Sequence, residues 1–267
     1  MNNFTQRAIT GLFFVVFIVS MTLFNEVSFG ILLILIGVLG LWEYFNIIFH
    51  KEKNRLKYLY IIYAFFVMLN FFFHFIEKEL TDFLFLSLLL VPLTFIFELF
   101  SKERIWKTTP LLLSGLLYII VPLLMFFYSV NDGIEFKKYY ALNLFILIWG
   151  SDTFAYLVGK AIGKTPLFTK ISPKKTVEGF AGALVLNVGL GALLSHFFDI
   201  PMVANIFIAL LSVIVGSLGD LVESQLKREH GLKDSGKLIP GHGGILDRFD
   251  AFFISLPFTS ACYYFLG

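Results

Sequence analysis

Runs of apolar residues, broken by short polar stretches, fill the chain from end to end. Nine of them approach the about 20 residues that cross roughly 30 Å of bilayer hydrocarbon as a helix. They cover 8–24, 28–49, 56–76, 82–100, 110–130, 139–160, 176–198, 202–224 and 245–266. Their apolar character is continuous rather than alternating, which argues for helices and against membrane strands. The pattern predicts an all-α polytopic integral membrane protein with about nine transmembrane helices. The first two, joined at Asn25–Val27, should form a hairpin, and Pro92 and Pro122 should kink their segments. The first segment has no small-residue cleavage site, so it reads as a retained helix rather than a cleaved signal.

Composition agrees. Of 267 residues, 58% are hydrophobic and 15% charged, against about 45–50% apolar and about 25% charged in soluble domains. The mean hydropathy is +0.82. Disordered, collagen-like, coiled-coil and ordinary soluble enzyme classes are excluded. A net charge of +2 gives no reason to expect nucleic acid as a partner. Cys262 is the only cysteine, which leaves no disulfide framework and no thiolate metal site.

Charge orients the helices. With sides numbered alternately across nine spans, 18 of the 21 lysines and arginines fall on one side, and only Lys78, Lys137 and Lys138 on the other. The positive-inside rule then places the N-terminus in the cytoplasm and the C-terminus outside, in a multi-pass membrane protein. The halves differ. Residues 1–140 are rich in Phe, Leu and Ile and read as scaffold helices. Residues 141–267 hold most glycines and most embedded carboxylates and read as the working region, with cytoplasmic loops 160–175 and 227–244. No internal repeat is evident, which weakens a secondary-transporter reading.

Charges at membrane depth cost at least about 2.5–3.5 kcal/mol each, so they need partners or a function. In the sixth segment Trp149, Asp152, Thr153, Tyr156 and Lys160 share one helical face. Ser217, Asp220, Glu223, Ser224 and Lys227 do the same in the eighth. In the ninth, Asp247 and Asp250 flank Arg248. Such carboxylates can hold Mg²⁺, which prefers oxygen ligands, and the neighbouring lysines can hold phosphates as mobile point charges. Simple pairing of acids with lysines is the plainer alternative, and Asp152, Asp220, Asp247 and Asp250 together weaken it.

Two loops add phosphate chemistry. Lys160–Lys175 has five lysines and no acid. A bland reading makes it a topology signal with attraction to anionic lipid. Within it, Ser172–Pro173 reads as a helix opening, with Lys174, Lys175 and Thr176 around an N-terminus suited to phosphate. Pro240–Gly244 is a glycine-rich turn whose free N–H groups can meet an anion, with His242 as a donor or a turn cap. The other four histidines receive no role. Small residues of the seventh segment, namely Gly179, Gly182, Ala183, Gly189 and Gly191, should allow close helix packing. Glu43 and Glu98 are isolated acids expected to be structural, facing lysine or arginine near the cytoplasmic side.

The run from Ser224 to Asp250 closely resembles the signature of phosphatidate cytidylyltransferases, the CDP-diacylglycerol synthases. Its elements stand at Ser224, Lys227–Arg228, Lys233–Asp234, Gly236, His242–Gly244, Asp247–Arg248 and Asp250. Ser172–Gly179 and Trp149–Tyr156 are similar to family segments as well, so clear resemblance covers about 145–255. The resemblance implies a Mg²⁺-dependent nucleotidyl transfer in phospholipid biosynthesis: CTP and phosphatidic acid give CDP-diacylglycerol and pyrophosphate. Under that reading Asp220 and Asp247 are the first Mg²⁺ ligands, with Asp250, Glu223 and Asp152 as outer or second-cation candidates. Asp220, Asp247, Lys227, Arg228 and His242 form the catalytic set. Ser172, Lys174, Lys175, Thr176, Lys233, Gly243, Gly244 and Arg248 would bind substrate. Partners would be CTP, phosphatidic acid and membrane lipids, with a homodimer left open. A CTP-dependent polyprenol kinase is the nearest rival, and a membrane transporter or channel a more distant one.

Overall fold

A computed structural model describes residues 3–50, 55–77, 105–131, 135–168 and 172–267. Among these residues eight stretches are long and apolar enough to span a membrane. The expected fourth segment, 82–100, lies outside the described residues together with Pro92 and Glu98.

Helix α1 (Asn3–Phe24) and helix α2 (Glu26–Ile48) form the expected hairpin. Asn25 makes the break: its side chain accepts from Ser28 N at 2.8 Å, and Ser28 Oγ accepts from Asn25 N at 3.1 Å. This reciprocal box satisfies two orphan donors at the start of α2. Helix α3 (Leu56–Glu77) follows, tied back to α2 by a 2.8 Å bond from Lys57 Nζ to Asn46. Helix α4 (Ile105–Gly115), a π turn (Leu116–Ile120) and helix α5 (Val121–Val130) run as one span. The expected disturbance at Pro122 takes the form of that π turn. A proline lacks an N–H and crowds the carbonyl four residues back, and a widened turn relieves both.

Helix α2 is the spine of this half. Gly37 faces Met68, Ile120 and Leu123, and Gly30 faces Phe72 and Phe127. Phe29 is fully buried and stacks on Phe127 at 6.1 Å.

The second half comprises α6 (Lys138–Ile162), β1 (Pro166–Phe168), β2 (Ser172–Thr176), α7 (Val177–Phe198), α8 (Met202–Glu229) and α9 (Leu246–Leu266). Its core joins that of the first half: Phe252 of α9 lies 5.5 Å from Phe126 and stacks on Phe145 at 4.9 Å. At one end of the bundle a buried polar clip ties four helices. Asn143 donates to Asn205 (2.7 Å) and Tyr263 (2.8 Å), and Asn205 donates to the Gly191 carbonyl (2.8 Å). Outward faces carry apolar residues such as Phe13, Val185, Phe197 and Phe265, each more than two-thirds exposed. An exposed apolar surface that wide suits lipid.

Small residues set the helix spacing in α7 as expected, with one exception. A Cβ at Gly179 would lie 2.6 Å from the Ala155 carbonyl, and one at Gly182 would meet Val158 at 2.5 Å. Gly189 has nothing within 4 Å, so it does not serve that packing.

Candidate active site

The C-terminal ends of α2, α6 and α8 and the N-terminal ends of α1, α7 and α9 meet at the end of the bundle opposite the polar clip. Here the basic loop between α6 and α7 departs from the helix opening expected at Ser172–Pro173. Ser172–Thr176 is a strand, paired antiparallel with Pro166–Phe168. The helix starts later, and Thr176 is its N-cap, its Oγ1 accepting from Gly179 N at 3.2 Å. Glu178 in the first turn of α7 accepts from Lys164 N (3.0 Å) and from Thr165 Oγ1 (2.9 Å). These bonds fold the loop back as a hairpin, so the residues before Thr176 pair across it instead of entering the helix. Lys174 and Lys175 are thereby displayed on a strand rather than on a helix N-terminus.

The connection from α8 to α9 is organised by two acids. Asp247, in the first turn of α9, accepts from Lys227 Nζ (2.6 Å), Ser235 N (3.0 Å) and Gly244 N (2.8 Å), and its Oδ2 lies 2.9 Å from the Ser235 hydroxyl oxygen. Lys227 also faces Glu223 at 2.5 Å, one turn earlier on α8. Glu223 is fully buried and Lys227 nearly so, so the ammonium neutralises two acids that could not otherwise stay charged there. Gly241 and Gly243 adopt positive φ of 79° and 90°, a backbone region that favours glycine. Ile239 and His242 close the turn, with Ile239 N donating to Gly243 O and His242 N to Ile239 O, each at 2.9 Å.

Glu43 is the second acid, and it comes from α2. It is 1% exposed and, among the described residues, meets no lysine or arginine of the kind expected. Its Oε2 accepts from Ser235 Oγ at 2.9 Å and from Leu246 N at 2.8 Å. Gly236 and Gly244 pack directly on its carboxylate, where no Cβ would fit.

Three cavities open around these groups. A polar one of about 710 Å³ is lined by the basic residues Arg7, Lys227, Lys237 and Arg248, by His242, and by the carboxylates of Asp220, Asp234, Asp247 and Asp250. A second, of about 340 Å³, shares Asp220, His242, Asp247, Arg248 and Asp250 and adds Asp152, Trp149 and Gly11. The third, about 350 Å³, lies between α6, the hairpin and α7, and is lined by Asp152, Tyr156, Lys160, Lys174, Lys175 and Thr176, among others. An ion pair between Lys175 and Asp220 stands between the third cavity and the other two.

The structure thus gathers Asp152, Asp220, Asp247, Asp250, Arg248 and His242 around one space, from α6, α8, the glycine turn and α9. It does not bring every predicted residue there. Arg228 is exposed and donates to the Leu232 carbonyl at 3.0 Å. Lys233 is exposed on the loop. Ser172 lies on β2, away from the lining of these three cavities. Glu223 sits behind Lys227, and Gly244 gives its N–H to Asp247. Ser235, Arg7 and Glu43 were missed as site residues. Ser235 carried no signal beyond its place in the loop. Arg7 counted only as a topology charge. Glu43 offered one clue, a carboxylate within an apolar run.

The donor chemistry suits Mg²⁺. Among the described residues no group of three or more histidine, cysteine or carboxylate side chains is set to hold a metal by itself. Mg²⁺ does not need one: it takes one or two carboxylates, keeps water, and completes its shell with substrate phosphates. Asp152, Asp220 and Asp250 offer carboxylate oxygens to the 340 Å³ cavity from three helices.

Fold and site together define a multi-pass membrane protein with a charged cavity at one end. The chain belongs to the cytidylyltransferase family, whose profile it matches over residues 5–266. It is similar to the phosphatidate cytidylyltransferase of Staphylococcus haemolyticus (strain JCSC1435), 39% identical over 176 residues, or 63% of this chain and 65% of the relative. Its similarity to the protein of the same name from Bacillus subtilis (strain 168) is 44% over 135 residues, half of each chain. The chain therefore spans 65% of the length of the first of these relatives and 50% of the second.

Proposed function

We propose that this protein is a phosphatidate cytidylyltransferase, transferring CMP from CTP to phosphatidic acid and releasing pyrophosphate. The observation that carries the reading is the meeting of Asp152, Asp220 and Asp250 with Arg248 and His242 around one cavity. Beside it stands a lysine-bearing hairpin on a half-apolar pocket. One side suits a soluble triphosphate and the other a lipid phosphate.

In this reading the triphosphate occupies the 710 Å³ cavity, where Arg7, Lys237 and Arg248 offer positive charge and Gly241 and Gly243 let the backbone approach closely. The phosphatidate head enters beside Lys174, Lys175 and Thr176, with its acyl chains along Tyr156, Leu167 and Phe180. A phosphate oxygen of phosphatidate attacks the α-phosphorus of CTP. A new P–O bond forms, the α–β P–O bond breaks, and pyrophosphate leaves. The attacking oxygen is already anionic near neutral pH, so no general base is required. The protein's part is positioning and charge neutralisation, and alignment alone can supply about 7–11 kcal/mol. Mg²⁺ would be held by one or two of the carboxylates of Asp220, Asp250 and Asp152, its shell completed by substrate phosphates and water, and would supply charge neutralisation on the phosphates. Asp247 is already engaged by three donors, so its part is to hold the turn at the edge of that site. Lys227, saturated by two acids, supports the site rather than the phosphate.

The charge asymmetry supports nine spans in the bacterial inner membrane, with N-terminus and active site in the cytoplasm and C-terminus outside. A homodimer is also proposed, to be tested by cross-linking in native membranes.

The deciding experiment supplies purified protein with phosphatidic acid and CTP labelled at either phosphorus. The α-label should enter the organic phase, and the γ-label should remain in soluble pyrophosphate. Lipid carrying γ-label, or labelling of a polyprenol but not of phosphatidic acid, would establish the kinase instead.

A further inference from the structure

We infer that Glu43 is a positioning residue for this site: from the scaffold half it locks the 235–246 loop in place, and through Ser235 it sets Asp247 and the glycine turn against the cavity. The inference rests on the proposed transferase activity for its kinetic test, but its geometry stands alone.

Glu43 lies near the C-terminal end of α2, 192 residues from Ser235 and 203 from Leu246 in sequence. An uncompensated acid in that buried setting is costly. Among the described residues no cation neutralises it. Instead one oxygen takes two donors from the loop, Ser235 Oγ and Leu246 N, while Oε1 has no hydrogen-bond partner. Ser235 then reaches the other way. Its hydroxyl oxygen stands 2.9 Å from Asp247 Oδ2, its N–H donates to the same oxygen at 3.0 Å, and it accepts from Asp247 N at 3.3 Å. One serine therefore couples the scaffold acid to the site acid.

The backbone is shaped to this coupling. Gly236 and Gly244 rest on the Glu43 carboxylate, and Gly243 rests on Asp247, whose Oδ2 would lie 2.6 Å from a Cβ there. The loop has closed over both acids at the positions where a side chain is absent. Lys227 fixes Asp247 from the α8 side. Glu43 fixes it from the α2 side. With the second anchor gone, Asp247 keeps its charge partner and loses its aim. Such outer partners typically influence activity by about 10–100-fold.

Glu43→Ala should lower kcat by about 10–100-fold and leave the KM for phosphatidic acid within about twofold of wild type. Glu43→Gln should recover most of the loss, because an amide oxygen can accept the same two bonds. Ser235→Ala should reproduce the kcat loss, and the Glu43→Ala/Ser235→Ala pair should fall no further than the worse single variant. A readout independent of turnover is trypsin cleavage at Lys237 in the purified protein. It should accelerate in Glu43→Ala and Ser235→Ala but not in Glu43→Gln. If Glu43→Ala does not accumulate, Ser235→Ala alone carries both measurements. Wild-type kcat in Glu43→Ala or Ser235→Ala, or losses that add in the double variant, would overturn the role. So would unchanged cleavage at Lys237. Absence of any activity of the wild-type protein toward CTP and phosphatidic acid would instead defeat the proposed function, and the cleavage assay would still decide the part of Glu43.

Discussion

Lys227 Nζ lies 2.6 Å from Asp247 Oδ1, binding the last turns of α8 to the first turn of α9 across the loop that carries the His-Gly-Gly turn. The same ammonium is 2.5 Å from Glu223, whose side chain is fully enclosed. The triad supports the cavity from behind. Removing one partner of a buried ion pair leaves the others unneutralised, at about 3–5 kcal/mol. Lys227→Met should therefore destabilise the detergent-purified protein by about 3 kcal/mol, read by thermal unfolding. Glu223→Gln added to it should restore part of that loss. A double variant less stable than Lys227→Met alone would show that Glu223 is not held by this lysine.

Asp220 stands where the cavities meet, paired with Lys175 of the hairpin. Asp220→Asn keeps the shape and removes the charge. Turnover should fall at least about 10²-fold, the scale of losing one strong transition-state stabiliser, while protein abundance stays near wild type. Asp250→Asn should behave alike. Near-wild-type turnover of both at saturating Mg²⁺ would remove these carboxylates from the site.

Two glycines of α7 should respond in opposite ways. Gly179→Ala places a methyl 2.6 Å from the Ala155 carbonyl, which is backbone and cannot swing aside. Helices α6 and α7 would have to separate, moving the hairpin that bears Lys174 and Lys175, so activity and folded yield should both drop. Gly189→Ala meets nothing within 4 Å and gains up to about 1 kcal/mol of helix propensity. Expression yield and thermal midpoint of the two variants, side by side, check the contrast.

The proposed orientation is open to chemical labelling. In a Cys262→Ala background, a cysteine at position 267 should react with an impermeant thiol reagent on intact cells. One at position 164, on the hairpin side, should react only after permeabilisation. The reverse pattern would invert the bundle.

Hydropathy was enough to place the helices, because each apolar run must bury its backbone polar groups within itself in lipid. α6 to α9 accordingly begin and end close to where the apolar runs do. The signature from Ser224 to Asp250, with Asp152 beside it, was equally legible, since charges at membrane depth stand out against an apolar background. Proximity in space was not legible. The strand at Ser172–Thr176 replaced an expected helix opening because Glu178, beyond the loop, accepts from Lys164 and Thr165 and folds the chain back. Glu43 looked like a lone structural acid facing a cation, and it meets a serine and a backbone N–H from the far end of the chain. Asp247, Asp220 and Asp250 looked alike as aspartates. Three donors on Asp247 and an open cavity beside Asp220 and Asp250 separate them. The sequence determined which segments enter the membrane and which residue types gather at its basic face. Only the tertiary structure decided which acid is saturated within its own loop and which line the cavity, because that depends on how the chain folds Lys227, Ser235 and Gly244 onto Asp247 and leaves Asp220 and Asp250 beside open space.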